Sequence, residues 1–171
     1  MATINNLEEL LVDQLRDLYN AEMQLTKALP KMAEAAGHAE LRQAFEEHLS
    51  ETQEHVARLE RVFESLGQAA KGKTCHAMKG LVEEGSEAIK EKGPDAVRDA
   101  ALIAAAQRVE HYEMAGYGTV RTFAEHLGHK EAAQLLQQTL EEESAYNEKL
   151  TQLAESHINQ HAMEGAGADG E

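Results

Sequence analysis

Two carboxylates, Glu110 and Glu113, stand in the middle of an otherwise apolar helical stripe. The stripe steps by three or four residues through Leu102, Ala106, Val109, Glu113, Tyr117, Val120, Ala124 and Leu127, the period of a buried helix face. Glu113 is its one charged member. A buried, unpaired carboxylate costs several kcal/mol or more, so it must be neutralised, ion-paired or bound to a cation. Glu110 lies one turn earlier and points roughly the same way. Two acids do not neutralise each other, and the turns beside Glu113 offer no Lys or Arg. The chemistry these residue types suggest is the binding of a hard cation by oxygen donors.

Other acids repeat the pattern. Glu22 is the one member that is not apolar in the stripe Leu7, Leu11, Leu15, Leu18, Leu25, Leu29, Met32 and Ala36. Glu22 and Glu113 are 91 residues apart (113 − 22), and the same shift carries Glu51 onto Glu142, Leu49 onto Leu140 and Gly37-His38 onto Gly128-His129. Two helical hairpins, each with a mid-helix acid followed 29 residues later by another, make a duplicated four-helix bundle. Four acids meeting at mid-bundle would repel strongly unless divalent cations lay between them. Carboxylate-bridged di-iron and di-manganese centres have this arrangement: one Glu from each of two helices, and a Glu with a further ligand one turn on from each of the others.

Spacing ranks Glu22, Glu51, Glu113 and Glu142 first as metal ligands, with Glu110 next and Glu54 and His48 behind. Glu143 rivals Glu142, because it falls nearer the centre of the stripe formed by Leu136, Leu140 and Leu150. Tyr19, His55 and Tyr117 are expected around the ligands, tuning them by hydrogen bonds. Alternatively, the acids could form a solvated face bridged to bases, which is the usual meaning of a run such as Glu141-Glu142-Glu143.

The elements that must position these groups are helices. The chain is rich in Ala, Leu, Glu and Gln, has two prolines and no tryptophan, and lacks alternating β-branched runs, so it reads as all-α. A first helix opens at Asn5 or Asn6 and should be kinked by Pro30; Gly37 is expected to stop it in the left-handed cap conformation. The second spans about Ala39 to Leu66, with Leu41, Phe45, Leu49, Thr52, Val56, Leu59, Phe63 and Leu66 facing inward. A Gly-rich crossover follows, with a short helix near His76 to Glu91. The third helix runs from about Asp95 to Leu127 and the fourth from about Glu131 to His157. Residues 1–162 read as one domain and 163–171 as a disordered tail.

The net charge of −15 argues against nucleic acid and anionic membranes as partners and favours cations. No apolar run approaches about 18 residues, and no signal pattern opens the chain. The single cysteine, Cys75, fits a reducing compartment, so a cytoplasmic setting is expected. Its Lys-rich loop would lower the thiol pKa.

The segments AEMQL (Ala21–Leu25), HLSET (His48–Thr52), RDAALIAAAQRVEHYEMAGYGT (Arg98–Thr119) and LEEE (Leu140–Glu143) resemble the YciF-type stress proteins of the ferritin-like superfamily over about Ile4 to Ala154. The resemblance implies a ferritin-like bundle, a homodimer, a di-iron site and a role in bacterial stress responses. The spacing from Glu110 to Tyr117 also resembles the rubrerythrin pattern, which places a tyrosine near the metals. Both halves depart from the Glu-x-x-His pair of that superfamily. The expected cofactor is two iron ions, with manganese possible, and the expected chemistry is reaction with peroxide or dioxygen as an oxidase or peroxidase. Iron sequestration, or a metal-free helical stress protein acting through a partner, are the alternatives.

Overall fold

A computed structural model describes residues 3–165. Among them the chain is all-helical: α1 (Leu7–Ala35), α2 (Ala39–Ser65), α3 (His76–Ile89), α4 (Asp95–Leu127), α5 (Lys130–Leu153), a π-helical turn (Ala154–Ile158) and α6 (Asn159–Gly165). The hairpins α1–α2 and α4–α5 pack side by side, with α1 against α4 and α2 against α5, while α3 lies across α1 and α4. This is the all-α, ferritin-like four-helix bundle of two antiparallel hairpins, joined by a crossover that carries a short extra helix. No helix among the described residues is long and apolar enough to cross a membrane.

Local chemistry sets the element ends. The Asn6 side chain accepts the Glu9 N–H and caps α1, satisfying one of the orphan donors of the first turn. Gly67 (φ 64°) and Gly128 (φ 80°) end α2 and α4 in the left-handed region, where glycine alone is free of Cβ strain.

Gly37 does not adopt that expected conformation. It is needed for proximity instead: a Cβ there would sit 3.0 Å from Asp95 Cβ, and the Gly37 and His38 N–H groups donate to the buried Asp99 carboxylate at 2.9 and 2.8 Å. That clamp fastens the α1–α2 turn to the start of α4, and Arg98 adds a bond to the Ala35 carbonyl. α1 runs through Pro30 without interruption.

The fourth bundle helix also departs from its expected form. A continuous α-helix to His157 would carry that histidine inward after Leu150 and Leu153. The π-turn absorbs an extra residue, so Ile158 is buried and His157 stacks against His38 at the surface. Met163 to Gly165, expected in the tail, still belong to α6; 166–171 lie outside the described residues.

The core is divided. One apolar cluster, with Leu25, Leu29, Phe45, Leu102 and Leu150, fills the end nearest α3; another, with Leu11, Leu15, Leu59, Phe63, Val120 and Leu136, fills the opposite end. Between them, at mid-bundle, lies a layer of buried polar side chains.

Candidate metal centre

That layer follows from the packing stripes. In α2 the buried positions run Leu41, Phe45, His48, Thr52, His55, Leu59 and Val62, and in α5 they run Leu136, Thr139, Glu143, Tyr146, Leu150 and Leu153. Every step is three or four residues, so the two histidines and Glu143 occupy the inward face that apolar residues hold elsewhere. Leu49 and Val56, expected inward, are only half-buried. From α1 and α4 come Glu22, Glu110 and Glu113.

Six side chains converge. One oxygen or nitrogen from each of His48, Glu110, Glu113 and Glu143 falls within 4.8 Å of the others, and so do single donor atoms of Glu22, His55 and Glu143. Glu143 belongs to both groups. All six are buried, with Glu22, Glu113, His55 and Glu143 fully inaccessible.

Most of their polar atoms are left without partners. His55 Nδ1 lies 3.0 Å from Glu143 Oε1, but both oxygens of Glu113, Oε2 of Glu143, one oxygen each of Glu22 and Glu110, and His48 Nε2 have no hydrogen bond. Folded proteins satisfy nearly all buried polar groups, so this many orphans aimed at one place calls for a charged occupant. Four carboxylates carry four negative charges, the amount two divalent cations neutralise, and two neutral imidazoles complete the donor set. The residues fit a dinuclear centre of a metal that accepts oxygen and nitrogen ligands, such as iron or manganese.

Electrostatics agree. Burial, reinforced by the neighbouring acids, pushes the Glu113 and Glu110 carboxyls well above the ordinary carboxylate range, and burial also raises Glu22. Burial would raise Glu143 as well, but His55 and His48 outweigh it and hold Glu143 low. Burial alone would depress His55; the carboxylates of Glu143 and Glu22 prevail and lift it to about 11. Without metal, His55 therefore keeps its extra proton at neutral pH, and Glu110, Glu113 and Glu22 are pushed toward their protonated forms. Cations would displace these protons.

Glu51 and Glu142, expected as ligands, stand outside the two groups of converging donors. Glu51 is 48% exposed, and its Oε2 lies 3.2 Å from His48 Nδ1. Glu142 is 31% exposed and accepts from His55 Nε2 at 2.9 Å and from Arg58 at 2.7 and 3.2 Å. Each sits one position, about 100°, off its helix's inward stripe. Each also takes the outer imidazole proton and turns the other ring nitrogen, His48 Nε2 or His55 Nδ1, toward the cluster. Carboxylate–histidine pairs of this kind fix the tautomer and orientation of metal-binding imidazoles.

The remaining candidates separate clearly. His55, expected around the ligands, lies within the converging cluster itself. Glu54 is exposed on α2, away from the cluster. Tyr19 leans outward and donates to Glu60 at 2.9 Å. Tyr117 is fully buried and donates to Glu22 Oε1. Sequence reasoning passed over Tyr146, whose ring stacks on His48 with centroids 3.7 Å apart, and Arg58, which donates to Glu142 and to the Thr139 hydroxyl. The signal was available: the 91-residue shift pairs Thr52 with Glu143 and His55 with Tyr146, a Glu-x-x-His pair divided between the halves. Cys75 also differs from expectation, because burial raises its thiol pKa and Tyr112 occupies its sulfur at 3.0 Å.

Comparison with known proteins places this geometry in context. Residues 6–163 match the model of a domain of unknown function, DUF892. Protein YciF of Escherichia coli K12 is 49% identical over 160 residues, covering 93% of this chain and 96% of the relative. The crystal structure of that bacterium's protein, described as a stress protein, superposes with a TM-score of 0.88 over 91% of this chain and 99% of its own. YcfI from Rhodopseudomonas palustris, 48% identical, gives 0.84 over 86% and 94%. A Xanthomonas campestris protein at 22% identity shares the fold, with a TM-score of 0.73 over 93% and 98%.

Proposed function

Because the chain belongs to the DUF892 family, with a stress protein among its relatives, we propose that it is a stress-related protein built around a dinuclear metal centre, and that the physiological pair is iron. One observation carries the reading: Glu143 is shared by two groups of buried donors, most of whose polar atoms have no hydrogen bond. A bridging carboxylate between two ions accounts for both facts.

Each residue has a distinct task. His48, Glu110 and Glu113 would hold one ion and Glu22 with His55 the other, with Glu143 available to both. Glu51 and Glu142 keep the outer imidazole protons, with Arg58, itself bonded to the Thr139 hydroxyl, fixing Glu142 in turn. Tyr117 pins one oxygen of Glu22 through its hydroxyl. Burial lifts the Tyr117 pKa well above its usual value, so that proton stays on Oη through the physiological range. The apolar clusters on either side keep bulk water from the layer and strengthen every charge interaction within it. Two iron ions in this setting supply a two-electron couple suited to reducing peroxide or dioxygen.

The test is stoichiometry. Metal-free protein titrated anaerobically with Fe(II) should bind two ions per chain, and Glu143→Ala should bind at most one, weakly. Unchanged loading of two ions by Glu143→Ala would remove the bridging role, and a wild-type protein that binds none would remove the centre.

A further inference from the structure

A second site lies outside the polar layer. The crossover helix α3 covers α1 and α4 incompletely and leaves an apolar cleft of about 220 Å³ between them. Its walls are Leu25, Met32, Leu81, Val82, Ile89 and Val109. The inner end abuts the metal-binding layer in sequence, because Val109 precedes Glu110 and Leu25 follows Glu22 by one turn. Along α3 the walls extend from Leu81 to Ile89, eight residues or about 12 Å at the helical rise, roughly the length of an extended medium-chain acyl group.

Two independent features mark the cleft as a binding site. The first is its charge. Lys27 and Lys31 stand on the lip, one turn apart on α1, and a contiguous groove past Ser86 and Ile89 adds Lys90, with Glu34 as its one carboxylate. None of the three lysines is ion-paired among the described residues, although the chain carries 31 acidic residues against 16 basic ones. The second is Gly85, buried in the middle of α3 and facing the cleft. A Cβ at Gly85 would meet nothing within 4 Å. Glycine inside a helix is destabilising relative to alanine, and no neighbour demands it here. The residue leaves space that the protein itself does not use.

We propose that this cleft binds a small amphipathic carboxylate, its alkyl chain lying against Val109, Leu25 and Val82 beneath Gly85 and its anionic head held by Lys27, Lys31 and Lys90. Charge complementarity chooses the ligand class. An uncharged hydrocarbon would leave the lysines unused, and a short organic acid would leave the apolar walls wet. The volume falls below the range typical of drug-sized sites, which suits a single chain. Binding here requires no metal, so its failure would not affect the proposed centre, nor the reverse.

Calorimetric titration of the full chain with decanoate below its micellar range, alongside decanol and acetate, tests the assignment. Decanoate should bind saturably at one per chain, at least tenfold more tightly than decanol, and acetate should not bind. Gly85→Leu should abolish binding. Gly85→Ala, which removes no contact, should melt higher than the wild-type protein and bind decanoate more weakly. Lys27→Glu with Lys31→Glu should cost tenfold or more. The proposal is overturned by absence of saturable decanoate binding, by equal affinity for decanol, or by undiminished binding to Gly85→Leu. A change in particle mass in Gly85→Leu without decanoate binding to the wild type would assign the cleft to a second copy of the chain and overturn it equally.

Discussion

Replacing Glu113 by Gln should move metal-free and metal-loaded stability in opposite directions. Glu113 is fully buried, both its oxygens are unpartnered, and burial raises its pKa well above the ordinary 4.5. Unfolded, the group is ionised at pH 7; folded without metal, it is pushed toward the protonated form. Holding it protonated at pH 7 costs at most about 3.5 kcal/mol, from 2.5 pH units at roughly 1.4 kcal/mol each. Glutamine has nearly the same shape, carries no charge and can donate its amide N–H to Glu110 or Glu143, so it removes that cost. At about 2–4 °C per kcal/mol for a chain of this size, metal-free Glu113→Gln should melt up to about 7–14 °C higher. A raised folded pKa means that the wild-type group contributes least unfavourably below pH 4.5 and loses stability as pH rises, so the gap between variant and wild type should open upward from there. Metal reverses the order: at a thousandfold excess over Kd it adds about 4.1 kcal/mol to the wild type and little to the variant. Thermal melts by circular dichroism, with and without Fe(II), read both effects. A variant that melts lower than wild type without metal, yet keeps the full metal-induced rise, would refute the account of Glu113.

Other expectations follow from the same geometry. Glu142→Gln removes the carboxylate that takes the His55 Nε2 proton; competition with a chelator should show metal affinity reduced by about 10- to 100-fold with little change in fold, and unchanged affinity would dismiss the orienting role. Asp99→Ala leaves the Gly37 and His38 N–H groups without their acceptor and should cost about 3 kcal/mol, seen as a melting point lower by about 6–12 °C; a loss under about 1 °C would mean that water replaces the clamp. The pKa of His55, lifted to about 11 in the folded metal-free chain from an ordinary 6.5, makes its contribution fully present below pH 6.5 and lost as pH climbs toward 11. Metal-free melting points should fall across that window, and those of a His55→Gln variant should fall less steeply; parallel curves would contradict the assignment.

The architecture was legible because the long helices carry strict three- and four-residue stripes and because Gly67, Gly128 and Asn6 act at their ends by local chemistry. Glu22, Glu110 and Glu113 were legible for a related reason: an acid inside an apolar stripe is conspicuous. Glu51 and Glu142 misled because their helices are acid-rich, so an acid one position off the stripe looks like one on it. In α2 the true stripe was hidden by its own chemistry. His48, Thr52 and His55 interrupt the apolar run, and Leu49 and Val56 offer a competing one 100° away that scores better on hydropathy alone. Gly37 was misjudged because its requirement comes from Asp95 and Asp99, some 60 residues distant, which no local rule detects.

The duplicated halves differ where the metals would sit, and charge balance explains why. A symmetric site with a Glu-x-x-His pair in both α2 and α5 would place glutamate at Thr52 as well as at Glu143. Added to Glu110, that would bring five carboxylates into a layer walled by two apolar clusters. Two divalent cations neutralise four. With Thr52 in the α2 position, Glu110 supplies the fourth carboxylate from α4, and His48, one turn before Thr52, supplies the imidazole that Tyr146 does not. The exchange preserves the four-carboxylate, two-imidazole set while concentrating the acids toward α4 and α5 and the histidines on α2. Glu143 alone faces both imidazoles, with His55 Nδ1 at 3.0 Å and His48 Nε2 at 3.7 Å, and is held low, while Glu110, which meets only His48, and Glu113 are pushed toward protonation by burial and by Glu143. The group shared by both donor sets is thus the one already charged before any cation arrives, and the first ion should enter beside it.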